Sequence, residues 1–286
     1  MAKNTDLHIH SHYSDGQMSP KELVRLAKER GVKNLALTDH NSVKGVEEAL
    51  EEGKRIGVNV IPAVEVEADT GEILSYFIDY KNKDLIKELK INSRNTESRT
   101  KDWCNKIRKA GYNISFEELV KKFPKARGNI NSFYPLHLLY KRGYGRPLKL
   151  APKLWKNPDT RPKDFKKIPI IKVIRLVRKA GGVPVLAHPW IDDMEINFRN
   201  MKHLVKAGLK GIEVNNGDRE PLRKKKAVKQ IRALAKKYHL ILTSGSDFHG
   251  KELVKLMPGN HNLGKNNCDE KVVEKMRKIS SKKILR

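Results

Sequence analysis

Apolar residues come in short runs separated by polar stretches with helical spacing, and near the start of the chain the alternation is regular. Leu7–His10 is apolar at alternate positions, as a half-buried strand requires. Ser19-Pro20 supplies an N-cap with proline at the first helical position, and Leu23, Leu26 and Ala27 follow at helical spacing up to Gly31. Asn34–Thr38 reads as the next strand, Val43–Ile56 as an amphipathic helix stopped by Gly57, Val58–Ile61 as a strand closed by Pro62, and Ile73–Ile78 as a fourth strand. Strands alternating with helices of this length predict a parallel sheet or barrel.

From about Lys83 the rhythm changes. Asp84–Ala110 is one long polar helical stretch, Ser115 with Glu117 and Glu118 opens another helix, and Tyr134–Arg142 is a third, closed by Gly143. Gly145–Pro169 contains five prolines and few apolar pairs and reads as an irregular connection. The alternation then resumes with helices Ile170–Ala180, Asn197–Ala207 and Glu220–Tyr238 between strands Val183–Ala187, Gly211–Val214 and Leu240–Thr243, and a helical basic segment runs from Asp269. The pattern predicts an α/β body formed by residues 1–82 and 166–286, interrupted by a small helical insert domain at 83–165.

Charge divides the chain in the same places. Residues 1–80 carry 9 Lys and Arg against 14 Asp and Glu, residues 81–165 carry 22 against 8, and residues 166–286 carry 29 against 11, for a net +27. An acidic first section suits cation binding, and a basic remainder suits a polyanionic partner. The run Arg223–Lys226 reads as a solvated helix face first and an RNA-contacting patch second. The longest apolar runs are too short to cross a bilayer, and the polar start predicts no signal peptide. Two cysteines without CxxC spacing fit a reducing cytosol, so the expected location is cytoplasmic.

The chemistry lies in short motifs at or just beyond the strands. His8 and His10 are two apart on a strand and point to one face, half of a site for zinc, manganese or iron. Asp15 precedes a glycine turn, Asp39-His40 follows one strand, His188 follows another, and Asp247 and His249 follow a third across Ser244-Gly245-Ser246. The segments Asp6–Gly16, Leu35–Asn41, Pro62–Glu67, Gly181–Pro189, Gly211–Val214 and Thr243–Gly250, in this order, resemble the PHP (polymerase and histidinol phosphatase) family.

That resemblance implies a distorted (β/α)7 barrel with two or three divalent ions (Mn, Zn or Fe) at the C-terminal ends of its strands. It implies His8, His10, Glu65 and Asp247 around a first ion, Glu65 bridging to a second also held by His188, and Asp15, His40 and His249 around a third. Where many members carry a histidine before the next strand, this chain has Glu72, which is either a harder ligand or a charged residue at a strand start. The implied activity is phosphate-ester hydrolysis by a metal-activated hydroxide, with the cations neutralising phosphate oxygens and no Ser or Cys nucleophile.

The segment Arg94–Arg99, with Ala110–Ser115, resembles the insert of the stand-alone branch, which includes nucleoside 3′,5′-bisphosphate phosphatases and 5′→3′ exoribonucleases. Arg94 and Arg99 are the candidate phosphate contacts, since guanidinium pairs phosphate bidentately. Ser132-Phe133-Tyr134 stands where branch members often show Arg-Pro-His. The expected substrate is a nucleotide or short 5′-phosphorylated oligonucleotide, RNA rather than DNA, with no membrane partner. The alternatives are a histidinol-phosphate phosphatase and a nucleic-acid-binding module with a partly degenerate metal site. His12 shares the strand parity of His8 and His10 and reads as solvated first and a ligand second, while His137, His203, His239 and His261 read as structural or exposed.

Overall fold

The structure is a computed structural model and describes residues 4–163, 165, 167–189, 198–216, 221–254, 261–265 and 268–280. Seven strands form one sheet in chain order: β1 (Thr5–Ile9), β2 (Asn34–Leu37), β3 (Asn59–Ala68), β4 (Gly71–Tyr76), β5 (Val183–Leu186), β6 (Gly211–Asn216) and β7 (Ile241–Gly245). Backbone bonds from Asp247 N to His8 O (2.7 Å) and from His10 N to Phe248 O (2.9 Å) join the two edges, so the sheet is a near-closed, distorted barrel.

Two strands depart from the sequence expectation. β3 does not stop at Pro62, because Pro62 sits where the strand changes partner: Asn59–Pro62 pair with β2, and Ala63–Ala68 pair with β4. A missing N–H costs little at that changeover. β4 runs antiparallel to both β3 and β5, since only residues 69–70 separate it from β3 and so short a link cannot cross over.

Helices α1 (Pro20–Glu29) and α2 (Val46–Ile56) cover β1–β3, with α1 started by a Ser19–Glu22 capping box. Helices α7 (Ile170–Lys179), α8 (Met201–Ala207) and α9 (Pro221–Tyr238) cover the other side. A cluster including Leu7, Ile61, Leu74, Tyr76, Val183 and Met276 joins the strands to α11 (Lys271–Ile279), and the Tyr76 hydroxyl donates to Leu7 O across it (3.0 Å).

Between β4 and α7 lie α3 (Lys83–Lys109), α4 (Phe116–Lys122), α5 (Phe133–Lys141) and α6 (Pro147–Lys156). Residues from Trp103 to Leu154 share a hydrophobic cluster of their own, whereas Leu85 and Leu89 of α3 pack into the barrel's core. Helix α6 falls within the stretch expected to be irregular. Pro147 occupies its first turn, where no N–H is needed, and burial of Leu150, Ala151 and Leu154 outweighs the hydrogen bond lost at Pro152. Among the described residues no helix is long and apolar enough to cross a membrane. A short α10 (Lys251–Val254) follows β7.

Candidate metal centre

The end of the barrel where β1, β2, β5 and β7 finish collects the candidate ligands. His8 lies on β1 with His10 one residue beyond it, Asp39 and His40 follow β2, His188 follows β5, and Asp247 and His249 follow β7. Glu72 reaches the same end because β4 runs the other way, so its first residues lie where its neighbours stop. Glu65 lies on β3 past its change of partner, and Glu67, two residues on, pairs with Glu72, so the three carboxylates share a sheet face. At Gly245 a Cβ would come within 2.2 Å of the His8 Cβ; its absence lets β7 close onto β1 directly beneath the first ligand.

Nine side chains form four interlocking groups, each with its ligand atoms within 4.8 Å of one another: His10, Asp15, His40 and His249; His8, Glu65 and His188; His8, His10 and Asp247; and His40, Glu65 and Glu72. His8 Nε2 is 3.1 Å from His10 Nε2 and from Glu65 Oε2, and His10 Nε2 is 3.2 Å from Asp247 Oδ1. Glu65 turns its other oxygen to His188 Nε2 at 3.0 Å, and Glu72 Oε2 is 3.2 Å from the same nitrogen. Asp15 Oδ1 is 3.2 Å from His249 Nε2, while its Oδ2 is 3.7 Å from His40 Nε2. His40 lies between groups, its Nδ1 being 3.3 Å from Glu65 and 3.4 Å from Glu72.

This donor set suits divalent cations. Four carboxylates and five imidazoles are packed together, all buried except His40 and Glu72, which are partly exposed, an arrangement that costs heavily without compensating positive charge. Asp15 Oδ1 and His40 Nδ1 are buried and make no hydrogen bond, although polar atoms stand 3.2 and 3.3 Å away. The electrostatics show the same tension. Burial works against the His8 cation, but Glu65, Glu213 and Asp247 outweigh it and hold its pKa well above the ordinary value. His40 is raised to about 10, burial being overcome by Asp15, Glu65 and Glu72, while burial and the neighbouring His249 and His40 lower His10 to about 3. The residues form clusters able to coordinate two or more divalent cations.

Several supporting residues are not assigned by sequence reasoning. Glu213, within β6, is fully buried; its Oε1 lies 3.1 Å from His8 Nδ1 and its Oε2 accepts from His188 N at 2.8 Å. It fixes the His8 ring so that Nε2 faces the cluster. The only signal is an acid amid the apolar residues of Gly211–Val214. Asp39 accepts from Ser11 N, Ser11 Oγ and Ser14 Oγ and so shapes the turn before Asp15, and Asp6 accepts from Ser246 N and Gly264 N at 2.8 Å. His261, expected to be structural or exposed, is buried with Nδ1 3.0 Å from Ser246 O and 3.9 Å from Asp247 Oδ2.

The segment between β4 and α7 reaches this end too. Asn131 donates to Asp15 Oδ2 (2.8 Å), Asn129 to His40 O, and the Tyr134 hydroxyl to Ser14 O. The Phe133 ring centre is 6.3 Å from that of His249. A cavity of about 350 Å³ opens beside Asp15, lined by His12, Lys122, Lys125, Phe133 and His137. Of the two candidate arginines, Arg94 is exposed and lines a groove with Asn41 and Asn129. Arg99 donates to Lys163 O (3.2 Å) and lies 4.9 Å from the Phe165 ring centre. The side chains of Arg223–Lys226 lie outside the described residues.

The sequence profile of the PHP domain matches residues 6–159. Phosphoribosyl 1,2-cyclic phosphate 1,2-diphosphodiesterase of Eggerthella lenta is 29% identical over 260 residues, covering 86% of this chain and 94% of its own length. A 5′-3′ exoribonuclease of Haemophilus influenzae is 27% identical over 266 residues, covering 87% and 91%. A solved structure from Bifidobacterium adolescentis superposes with a TM-score of 0.85 at 23% identity, covering 100% of this chain and 99% of that one, and shares the fold.

Proposed function

The chain belongs to the PHP domain family and carries a metal-dependent phosphoesterase site, and from that premise we propose that it hydrolyses phosphate esters of nucleotides or short 5′-phosphorylated oligonucleotides, RNA in preference to DNA. The observation that carries this reading is the interlocking of the nine ligand-type side chains around Glu65, beside a cavity walled by Phe133, Lys122 and Lys125. The 5′-3′ exoribonuclease relative supports the substrate class.

Bound divalent ions would supply charge to neutralise phosphate oxygens and would lower the pKa of water toward about 7. The protein's part is positioning. His8, His10, Glu65 and Asp247 would hold a first ion, Glu65 with His188 and Glu72 a second, and Asp15, His40 and His249 a third. Glu213 keeps the proton of His8 on Nδ1, and the Asp247 carbonyl, 2.9 Å from His249 Nδ1, leaves Nε2 of that ring facing Asp15. Lys122 and Lys125 counter the charge of the ester, and Phe133 offers a face to its organic part.

Purified protein with Mn²⁺ should release phosphate or mononucleotide from nucleoside 3′,5′-bisphosphates and 5′-phosphorylated oligoribonucleotides, and chelator should stop it. Activity retained in a His8→Ala, Asp247→Ala double variant would sink this reading. A second reading, hydrolysis of a small phosphoribosyl ester, draws on the Eggerthella lenta relative. Rates on ribose phosphates and oligoribonucleotides measured side by side decide between them.

A further inference from the structure

On its exposed side α3 carries Lys83, Lys87, Lys90 and Arg94. Spacings of four, three and four place them within an arc of about 60° along about 16 Å of helix. None of the four forms an ion pair among the described residues. The helix's neighbouring acids are already engaged, Asp84 with Lys179 of α7 at 2.6 Å and Glu88 with Lys172 at 2.9 Å. Folding has thus sorted the charges of one polar helix: acids to the barrel's helices, cations to water.

These cations rim a groove. Its two parts, about 280 and 550 Å³, share Ile86, Lys90 and Arg94, and the far wall of the first is Asn41–Lys44, beginning one residue after His40. Asn129 lines the groove and bonds His40 O, so the groove starts at the edge of the metal centre. Ile91, 44% exposed, lies among the cations and offers an apolar surface to a ribose or base.

We propose that this groove binds the phosphodiester backbone of a single-stranded oligonucleotide whose terminal phosphate ester lies at the metal centre. The inference rests on the substrate reading above. It adds that the substrate is a chain several phosphates long, since a mononucleotide at the centre leaves Lys83 and Lys87 untouched.

The test compares wild-type protein with a Lys83→Ala, Lys87→Ala, Lys90→Ala variant, all three positions being exposed. Binding of a 3′-labelled ten-nucleotide oligoribonucleotide with an uncleavable first linkage is followed by anisotropy across salt concentrations, and Mn²⁺-dependent hydrolysis of a nucleoside bisphosphate is the control. Single strands lose about 0.7 in the log–log salt slope per phosphate contact, so the variant should bind more weakly with a slope shallower by about 2. Hydrolysis of the bisphosphate should be unchanged. Equal affinity and slope in the two proteins would overturn the groove while leaving the phosphoesterase intact, whereas no hydrolysis of any ester by wild type would overturn the substrate reading itself. Loss in the variant of binding to phosphatidylserine vesicles, with oligonucleotide binding unaltered, would assign the stripe to a membrane surface and also overturn the proposal.

Discussion

Glu213 shows how much of this site depends on side chains outside the four candidate ligand groups. Its carboxylate spans His8 Nδ1 and His188 N, so it sets both the tautomer of one candidate ligand and the approach of another. Removing such a support costs about 10- to 100-fold in metal affinity. Glu213→Ala should therefore weaken Mn²⁺ binding by about that factor in competition with a chelator, and Glu213→Gln by less; equal affinity in all three proteins would remove Glu213 from the site. Glu72 makes a different prediction. Exchanging its carboxylate for imidazole softens the donor set, so Glu72→His protein equilibrated with equal Zn²⁺ and Mn²⁺ should hold a higher Zn-to-Mn ratio by elemental analysis. An unchanged ratio would mean that Glu72 is no ligand. His8, His10, Asp15, His40, His188, Asp247 and His249 are legible in the sequence because they sit on or just beyond strands, where little else calls for them, whereas Glu65, inside β3, and Glu72 enter only through the family resemblance. Glu213 is not legible, because an acid inside a buried strand acquires meaning only once His8, 205 residues away, stands beside it.

At the scale of elements, two contacts fix how the strands and helices that carry the site meet. Gly245 allows β7 to touch β1: a methyl group there would lie 2.2 Å from the His8 Cβ and 2.5 Å from its backbone nitrogen. Overpacking of that kind costs about 1–3 kcal/mol or more, so Gly245→Ala should lower the melting temperature and weaken metal binding together. The second contact joins α1 to α2. Glu52, 3% exposed, accepts from Arg55 at 2.6 and 2.9 Å and from Arg25 at 2.7 Å. Its pKa is lowered to about 2, chiefly by the hydrogen bonds of Arg55 and then Arg25. A depressed acid stabilises the fold fully above its ordinary pKa of about 4.5 and stops doing so as pH falls through about 2. The melting-temperature gap between wild type and Glu52→Gln should be constant from pH 7 to 5 and close between pH 4.5 and 2; a gap that persists at pH 2 would deny the link. Elements read well from periodicity where propensity and packing agree, as in α1, α2 and α7. They read badly where prolines gave the signal: Pro62 and the five prolines of Gly145–Pro169 suggest breaks, yet Pro62 falls at a change of strand partner and the bond lost at Pro152 is outweighed by burial.

Over the whole molecule the acidic barrel end and the basic helical segment meet at the turn carrying Asp15. Asn131 and Tyr134 reach that turn, while the hydrophobic cluster from Trp103 to Leu154 stays separate from the barrel's clusters. We propose that residues 83–165 act as an insert whose first turns, through Leu85 and Leu89, belong to the barrel. Metal binding separates the two parts experimentally. The candidate ligands come from strands β1, β3 and β4 and from the segments after β1, β2, β5 and β7, so an ion held by them ties the barrel together at one end. Ligand binding stabilises the native state by about 2.7 kcal/mol at a hundred times the dissociation constant. That stabilisation should reach the amides of every element that unfolds cooperatively with the site. In hydrogen exchange with and without Mn²⁺, β1, β2, β7 and the start of α3 should gain protection, and α4, α5 and α6 should gain little, because few polar contacts link them to the centre. Equal protection across α4–α6 would mean that barrel and insert unfold as one unit and that the sequence boundary at residue 83 marks no energetic division.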